Sequence, residues 1–258
     1  MALTYRRKVD SIQNIAKRIP FDPVAFAVLY LDFVPDPWQA DFLRSREYRI
    51  LLNCSRQSGK STTTAVLALW EALYIPKSFV VIDSPSLRQS QELMLKFQEF
   101  LGRLQLEDSL DSDNKLSAQF ANGSRVMALP GTEKTIRSLS AVTLLIEDEA
   151  SRVTDELYNS TRPMLAVSQG RLILMSTPFG KRGHFFHIYS EERHRWQYFE
   201  IPAELCPRIS PEFLAEEKES NPWFEQEYHC SFMESEDQLF KFDEIKKATD
   251  DDLEPMKF

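Results

Sequence analysis

The chain has 258 residues, 43% of them hydrophobic and 27% charged, ordinary proportions for a soluble globular protein with one large domain and room for a small appended one. No apolar run approaches bilayer-spanning length, the basic start is followed by Asp10, Gln13, Asn14 and Lys17 rather than a signal-peptide core, and Cys54, Cys206 and Cys230 are too few and too far apart for a disulfide framework or zinc ribbon. The reading is a non-exported protein of a reducing cytosol, and its net charge of −8 counts against strong DNA binding by a single chain, because that affinity comes from Lys and Arg neutralising phosphates; a local basic stripe, or a ring of chains gathering such stripes around a channel, stays open.

Up to about Ser45 the chain reads as helical, with Asp22-Pro23 and Asp36-Pro37 each opening a helix, since Asp suits an N-cap and Pro the first turn. Arg49–Cys54 is a buried strand, followed by a polar loop and a helix over 60–73. Phe79–Asp83 is a second strand and 86–104 an amphipathic helix. Asn122-Gly123 between two short strands predicts a hairpin with a type I′ turn. Strands follow at Val142–Ile146 and Arg171–Met175. This alternation predicts a mostly parallel sheet flanked by helices. From Arg195 the composition turns aromatic, acidic and proline-rich, and the expectation is a core over 1–194 and a small helical lid or linker over 195–258, outside the sheet. The acidic run at Asp250–Asp252 and Glu254 reads as a solvated tail.

Ser55-Arg56-Gln57-Ser58-Gly59-Lys60-Ser61-Thr62 stands between a strand and a helix, where a phosphate loop must stand for its backbone amides and the helix N-terminus to face an anion. Lys60 would reach the β and γ oxygens of ATP and Ser61 would ligate Mg²⁺. Cys54 occupies the first glycine position of the usual pattern. Gly-Lys-Ser alone also suits an ordinary helix start; the strand before and the acids below favour the phosphate loop. At the end of the Val142 strand come Glu147, Asp148 and Glu149, at the sheet edge where α/β proteins bind ligands. Asp148 is the candidate Mg²⁺ partner and Glu149 the candidate base for an attacking water. Glu147 has no assigned role beyond a solvent-facing or strand-end partner. Three acids in an exposed turn are the plainer alternative. Ser176 and Thr177, at the end of the Arg171 strand, either sense the γ-phosphate or make routine strand-end hydrogen bonds.

These motifs, with Pro37-Trp38-Gln39, Ser176-Thr177-Pro178-Phe179-Gly180 and Pro222–Tyr228, resemble the terminase large subunit of tailed phages, over nearly the whole chain. The resemblance implies an α/β P-loop NTPase of the ASCE type that hydrolyses ATP with Mg²⁺ to drive double-stranded DNA into a procapsid. It also implies a homo-oligomeric ring, a pentamer, working with a portal protein and a small terminase subunit in the host cytoplasm, with no membrane. Trp38 and Gln39 map onto the adenine-reading element, and Ser176, Thr177 and Pro178 onto the coupling motif. Arg56 and Arg137 are the two candidates for a catalytic arginine, in cis or in trans. The nuclease domain that follows in full-length terminases is expected to be absent here.

Two further groupings are weighed. His184 and His187 share a helix face, but no Cys or acid completes a zinc set, and packing with Phe185 and Phe186 is favoured. Arg88, Lys96 and Arg103 on the 86–104 helix are candidate DNA contacts, or simply its solvated face. The rival functions are a helicase- or recombinase-like ATPase and a nucleotide-gated assembly module with negligible turnover.

Overall fold

The computed structural model describes residues 21–106, 110–114, 116–129 and 139–234. Two short helices, α1 (Pro23–Tyr30) and α2 (Pro37–Arg44), open it as their Asp-Pro starts require. The Asp22 carboxylate accepts from Val24 N–H, and Asp36 and Gln39 form a capping box. Then β1 (Arg49–Cys54), α3 (Lys60–Tyr74), β2 (Phe79–Asp83) and α4 (Leu87–Arg103) alternate; β3 (Leu110–Asn114), β4 (Ser117–Phe120) and β5 (Arg125–Ala128) follow. After β6 (Leu144–Asp148) come α5 (Asp155–Thr161), β7 (Arg171–Ser176), α6 (Gly183–His187), β8 (Gln197–Ile201), α7 (Pro211–Ser220) and α8 (Phe224–Glu227).

The strands form one eight-stranded sheet in the order β3-β4-β5-β2-β6-β7-β1-β8. Every pairing from β5 to β8 is parallel, and only β4 runs the other way. Strand β7 lies between β1 and β6, so the strand leading to the phosphate loop and the strand ending in acids flank it. The central strands are apolar on both faces, as a sheet covered on both sides demands. Ile50 and Leu52 pack towards α3 and α4; Leu51, Leu145 and Leu174 pack towards α5 and α6.

Two expectations are corrected. The segment after Arg195 was expected to leave the sheet, but Gln197–Ile201 pairs in parallel with β1 as its last strand; aromatic residues suit such an edge as well as a helical lid. Only beyond it do the short helices gather around Ala203, Phe224 and Tyr228. The hairpin turn is not type I′, because Gly123 has positive φ and Asn122 does not. Phe120 O accepts from Gly123 N–H, and the Asn122 amide instead caps α3 through Ala72 O at 2.9 Å. Arg137 and the run near Asp250 lie outside the described residues.

Candidate active site

The loop after β1 and the acids after β6 meet at the C-terminal edge of the sheet. Between them lies a cleft of about 920 Å³, lined by Arg56–Thr62, Glu149, Thr177 and Pro178 and closed on its far side by Arg208, Phe213, Gln226 and Glu227. The loop backbone is shaped by left-handed residues, Gln57 at φ 61° and Gly59 at φ 89°. A Cβ on Gly59 would stand 2.9 Å from Gln39 Nε2 and 3.3 Å from Arg208 Nη2, so glycine is needed there on two counts. Cys54 replaces the first glycine without strain because it is still a strand residue. Its thiol is fully buried, and that burial pushes its pKa up to about 12, leaving it neutral in the core.

Lys60 Nζ lies 3.2 Å from Glu149 Oε1 and 3.4 Å from Thr177 Oγ1. Burial alone would lower the Lys60 pKa, but Glu149 and Asp148 outweigh it and raise it, so the lysine is charged. Ser61 Oγ donates to Asp148 Oδ2 at 3.4 Å. Desolvation pushes the Asp148 carboxyl up to about 6 despite Lys60 nearby. A buried anion short of counter-charge beside a hydroxyl is the hard-oxygen donor set that suits Mg²⁺, which typically takes one or two carboxylates and completes its shell with phosphate and water. Glu149 sits at φ 54°, ψ 41°, an unfavourable left-handed conformation for a residue with a Cβ. It turns the carboxylate out of the strand and into the cleft.

Ser176 is buried behind Thr177. Its hydroxyl is 2.6 Å from Ser151 Oγ and 3.5 Å from Glu149 Oε2, and Ser151 also donates to Thr177 O. The end of β7 is thereby tied to the residues after β6.

Several expected residues are elsewhere. Trp38 is buried in the core and Gln39 is fully buried beneath the loop. Gln39 Oε1 accepts from Asp36 N–H at 2.8 Å and its Nε2 reaches Ser58 O at 3.4 Å, so its amide bonds to the protein with one acceptor and one donor. Ser55 is also buried, and the backbone amides of Ser55 and Arg56 bond to Ile201 O and Glu227 O. The Arg56 guanidinium lies in the cleft wall, 2.9 Å from Glu227 Oε1. Lys96 borders the cleft. Arg103 instead turns onto Leu31 O at 2.6 Å and Glu99 at 2.7 Å, and Arg88, exposed at the start of α4, does not line the cleft. These three therefore do not make one stripe.

Three contributions were not read from the sequence. Arg208 grips Asp36 with both nitrogens, at 2.9 and 2.7 Å, and donates to Ser58 O at 3.1 Å. Arg152 lies in the cleft wall, 3.7 Å over the Phe179 ring. Glu147 is not solvent-facing but fully buried, 2.5 Å from His184 Nε2, with that ring stacked on Tyr158 at 4.0 Å. Arg208 and Arg152 belong to no motif, and His184 comes from a distant helix, so only the tertiary fold reveals these contacts.

Over residues 51–247 the chain matches the family described as terminase large subunit, T4likevirus-type, N-terminal. No curated protein matches it. Among solved structures, it resembles a mutant form of the Thermus phage P74-26 large terminase ATPase domain, with 21% identity and a TM-score of 0.70 over 81% of this chain and 98% of that one. It resembles the HK97 bacteriophage large terminase with 16% identity and a TM-score of 0.68 over 82% of this chain and 55% of that one. A large terminase from a thermophilic bacteriophage, solved in complex with ADP, matches with 9% identity and a TM-score of 0.62 over 77% of this chain and 53% of that one. At these identities the likeness speaks to the fold, and the chain spans about half the length of the last two.

Proposed function

The chain belongs to the terminase large-subunit family, as its N-terminal part, and from that premise we propose that it hydrolyses ATP in this cleft to drive double-stranded DNA into a viral procapsid. The observation that carries the reading is the convergence of Lys60, Ser61, Asp148, Glu149 and Thr177 on one edge of the sheet. That set supplies a phosphate-binding cation, a hydroxyl–carboxylate pair and a base, the parts phosphoryl transfer needs.

In this account the backbone amides from Gln57 to Thr62 hold the phosphates and Lys60 moves from Glu149 to the β and γ oxygens. Bound Mg²⁺, held by Ser61 and Asp148, would neutralise charge on the transferring phosphoryl group. Glu149, released from Lys60, orients a water and takes its proton as the water oxygen bonds to the γ-phosphorus and the bridging oxygen leaves with ADP. Ser176, Thr177 and Pro178 carry the change at Glu149 into β7, since Ser176 already touches that carboxylate. Gln39 serves by bracing Ser58 from below, and the helices around Arg208 and Glu227 act as a lid on the loop. Arg56 and Arg137 remain the two candidates for the arginine that stabilises the transition state, a contribution of roughly 10³ to 10⁵ in rate.

The same reading proposes a homo-oligomeric ring acting with a portal protein and a small terminase subunit in the host cytoplasm; among the described residues no helix is long and apolar enough to cross a membrane. The test is phosphate release per chain across a wide range of protein concentration. A specific rate that climbs with concentration supports Arg137 acting in trans. A constant rate favours Arg56 in cis, and ATP binding without turnover at any concentration supports the assembly-module reading instead.

A further inference from the structure

On the sheet face opposite α3, helices α5 and α6 leave a groove of about 740 Å³ lined by Arg49, Tyr158, Asn159, Arg162, His184 and Arg195 among others. It adjoins a second groove of about 640 Å³ that shares Arg49, Asn159 and Arg162. Neither is part of the nucleotide cleft. Arg49 is half-buried, while Arg162 and Arg195 are exposed.

The charge arrangement is unusual for this chain. It has 39 acids to 31 Lys and Arg, yet among the described residues none of the three arginines is paired with a carboxylate. Two acids do border the groove, but each is turned to a histidine: Asp155 Oδ1 accepts from His184 N–H at 2.7 Å, and Glu192 lies 3.5 Å from His187. Arg162 stands 5.4 Å over the Tyr158 ring and lines both grooves together with Arg49; burial lowers the Arg49 pKa, with Tyr158 opposing and Arg162 adding to the drop. Holding two guanidinium groups together while one is partly desolvated is unfavourable without a counter-anion. A folded chain rich in acids that turns the two acids bordering this groove to histidines leaves its arginines matched to an anion from outside. Guanidinium forks, with an adjacent Asn amide, fit phosphate oxygens.

We propose that this groove binds the phosphodiester backbone of duplex DNA through Arg49, Arg162 and Arg195. The proposal rests on the packaging reading above, and it supplies the local basic stripe that a chain of net charge −8 needs for that role. The groove floor, His184, is bonded to Glu147, which directly precedes Asp148 and Glu149. DNA held there is linked through His184 and Glu147 to the strand that carries the catalytic acids, on the face away from the nucleotide.

The test is fluorescence anisotropy of a labelled duplex oligonucleotide, titrated over a salt series with the parent chain and with the Arg162→Glu/Arg195→Glu variant. Both residues are exposed, and ATP turnover without DNA, measured on the same samples, is expected to stay unchanged. The expected result is an affinity loss of about tenfold or more at low salt and a log–log salt slope shallower by about 1 to 2. Arg88→Glu, on α4, makes half that charge change away from the groove and should change affinity by less than about twofold. Equal binding by parent and variant overturns the proposal, as does an equal loss in Arg88→Glu. Competition by polyglutamate as effective as by unlabelled DNA also overturns it, in favour of an acidic protein partner. A parent chain that binds no duplex DNA overturns it too; retained ATP turnover would then leave the ATPase reading standing, and lost turnover would remove both.

Discussion

Lys60 and Glu149 hold each other: Nζ lies 3.2 Å from Oε1, with the lysine largely buried. The cation suited to phosphate and the carboxylate suited to activating water are each other's partner, so binding nucleotide must break this pair. Glu149→Gln should therefore separate binding from turnover. Hydrolysis should fall by about 10² to 10⁴, while ATP should bind about fivefold more tightly, since a pair worth about 1 kcal/mol no longer has to be broken. Calorimetric titration with ATP checks it, with Lys60→Ala expected to lose productive binding; weaker binding in Glu149→Gln would show that the pair does not compete with nucleotide.

Arg208 ties the lid to the start of α2 by two bonds to Asp36 and to the loop by one to Ser58 O. Arg208→Ala should raise KM for ATP about fivefold to tenfold, with a smaller change in kcat, by releasing the loop. Arg208→Lys should fail to restore it, because one ammonium cannot span both carboxylate oxygens and the carbonyl. Steady-state kinetics on the two variants decide this, and full rescue by lysine would mean that only the charge matters.

Gly59→Ala meets both a left-handed φ and a contact of 2.9 Å with Gln39 Nε2. The conformational part alone costs roughly 1 to 2 kcal/mol, and the displaced Gln39 loses its bond to Ser58 O. A Tm lower by about 3 to 8 °C is expected, together with loss of ATP binding. Differential scanning calorimetry would contradict this if the variant melted with the parent.

His229 bridges Glu225 at 2.9 Å and Glu204 at 2.6 Å, joining α8 to the turn after β8. Burial would lower its pKa, but the hydrogen bonds to the two glutamates outweigh that and raise it. A raised folded pKa means the proton is held more tightly in the folded state. The contribution is fully present below the unfolded value of 6.5 and is lost as pH climbs through the folded value. Hydrogen-exchange protection over residues 203–228 should thus be greater near pH 6 than near pH 9, after correction for intrinsic rates, by about 1 kcal/mol or less. His229→Gln should flatten the profile.

The parts of the fold set by local pattern were readable before any coordinates: the Asp-Pro helix starts, the apolar strands β1, β2, β6 and β7, and the glycine-lysine-serine turn between β1 and α3. The candidate site was readable where one short motif contributes several groups, as around Lys60 and Glu149. What escaped depends on distant partners. Strand β8 looks no more like a strand than a helix until β1 is beside it, and the contacts of Gln39 with Asp36 and Ser58 cannot be seen before the loop folds over it. Glu147 alternates with Asp148 onto the opposite sheet face, so its partner His184 comes from α6, 37 residues later. Arg208 carries no motif at all, and its importance comes only from where the lid folds.

The most direct measurement is the rate of phosphate release from ATP, with Mg²⁺ present, by the parent chain and by Glu149→Gln at matched concentration. The account predicts turnover by the parent and a rate about 10² or more lower in the variant. Equal rates in the two, or a parent that binds ATP and releases no phosphate, would contradict an ATPase site built on Glu149.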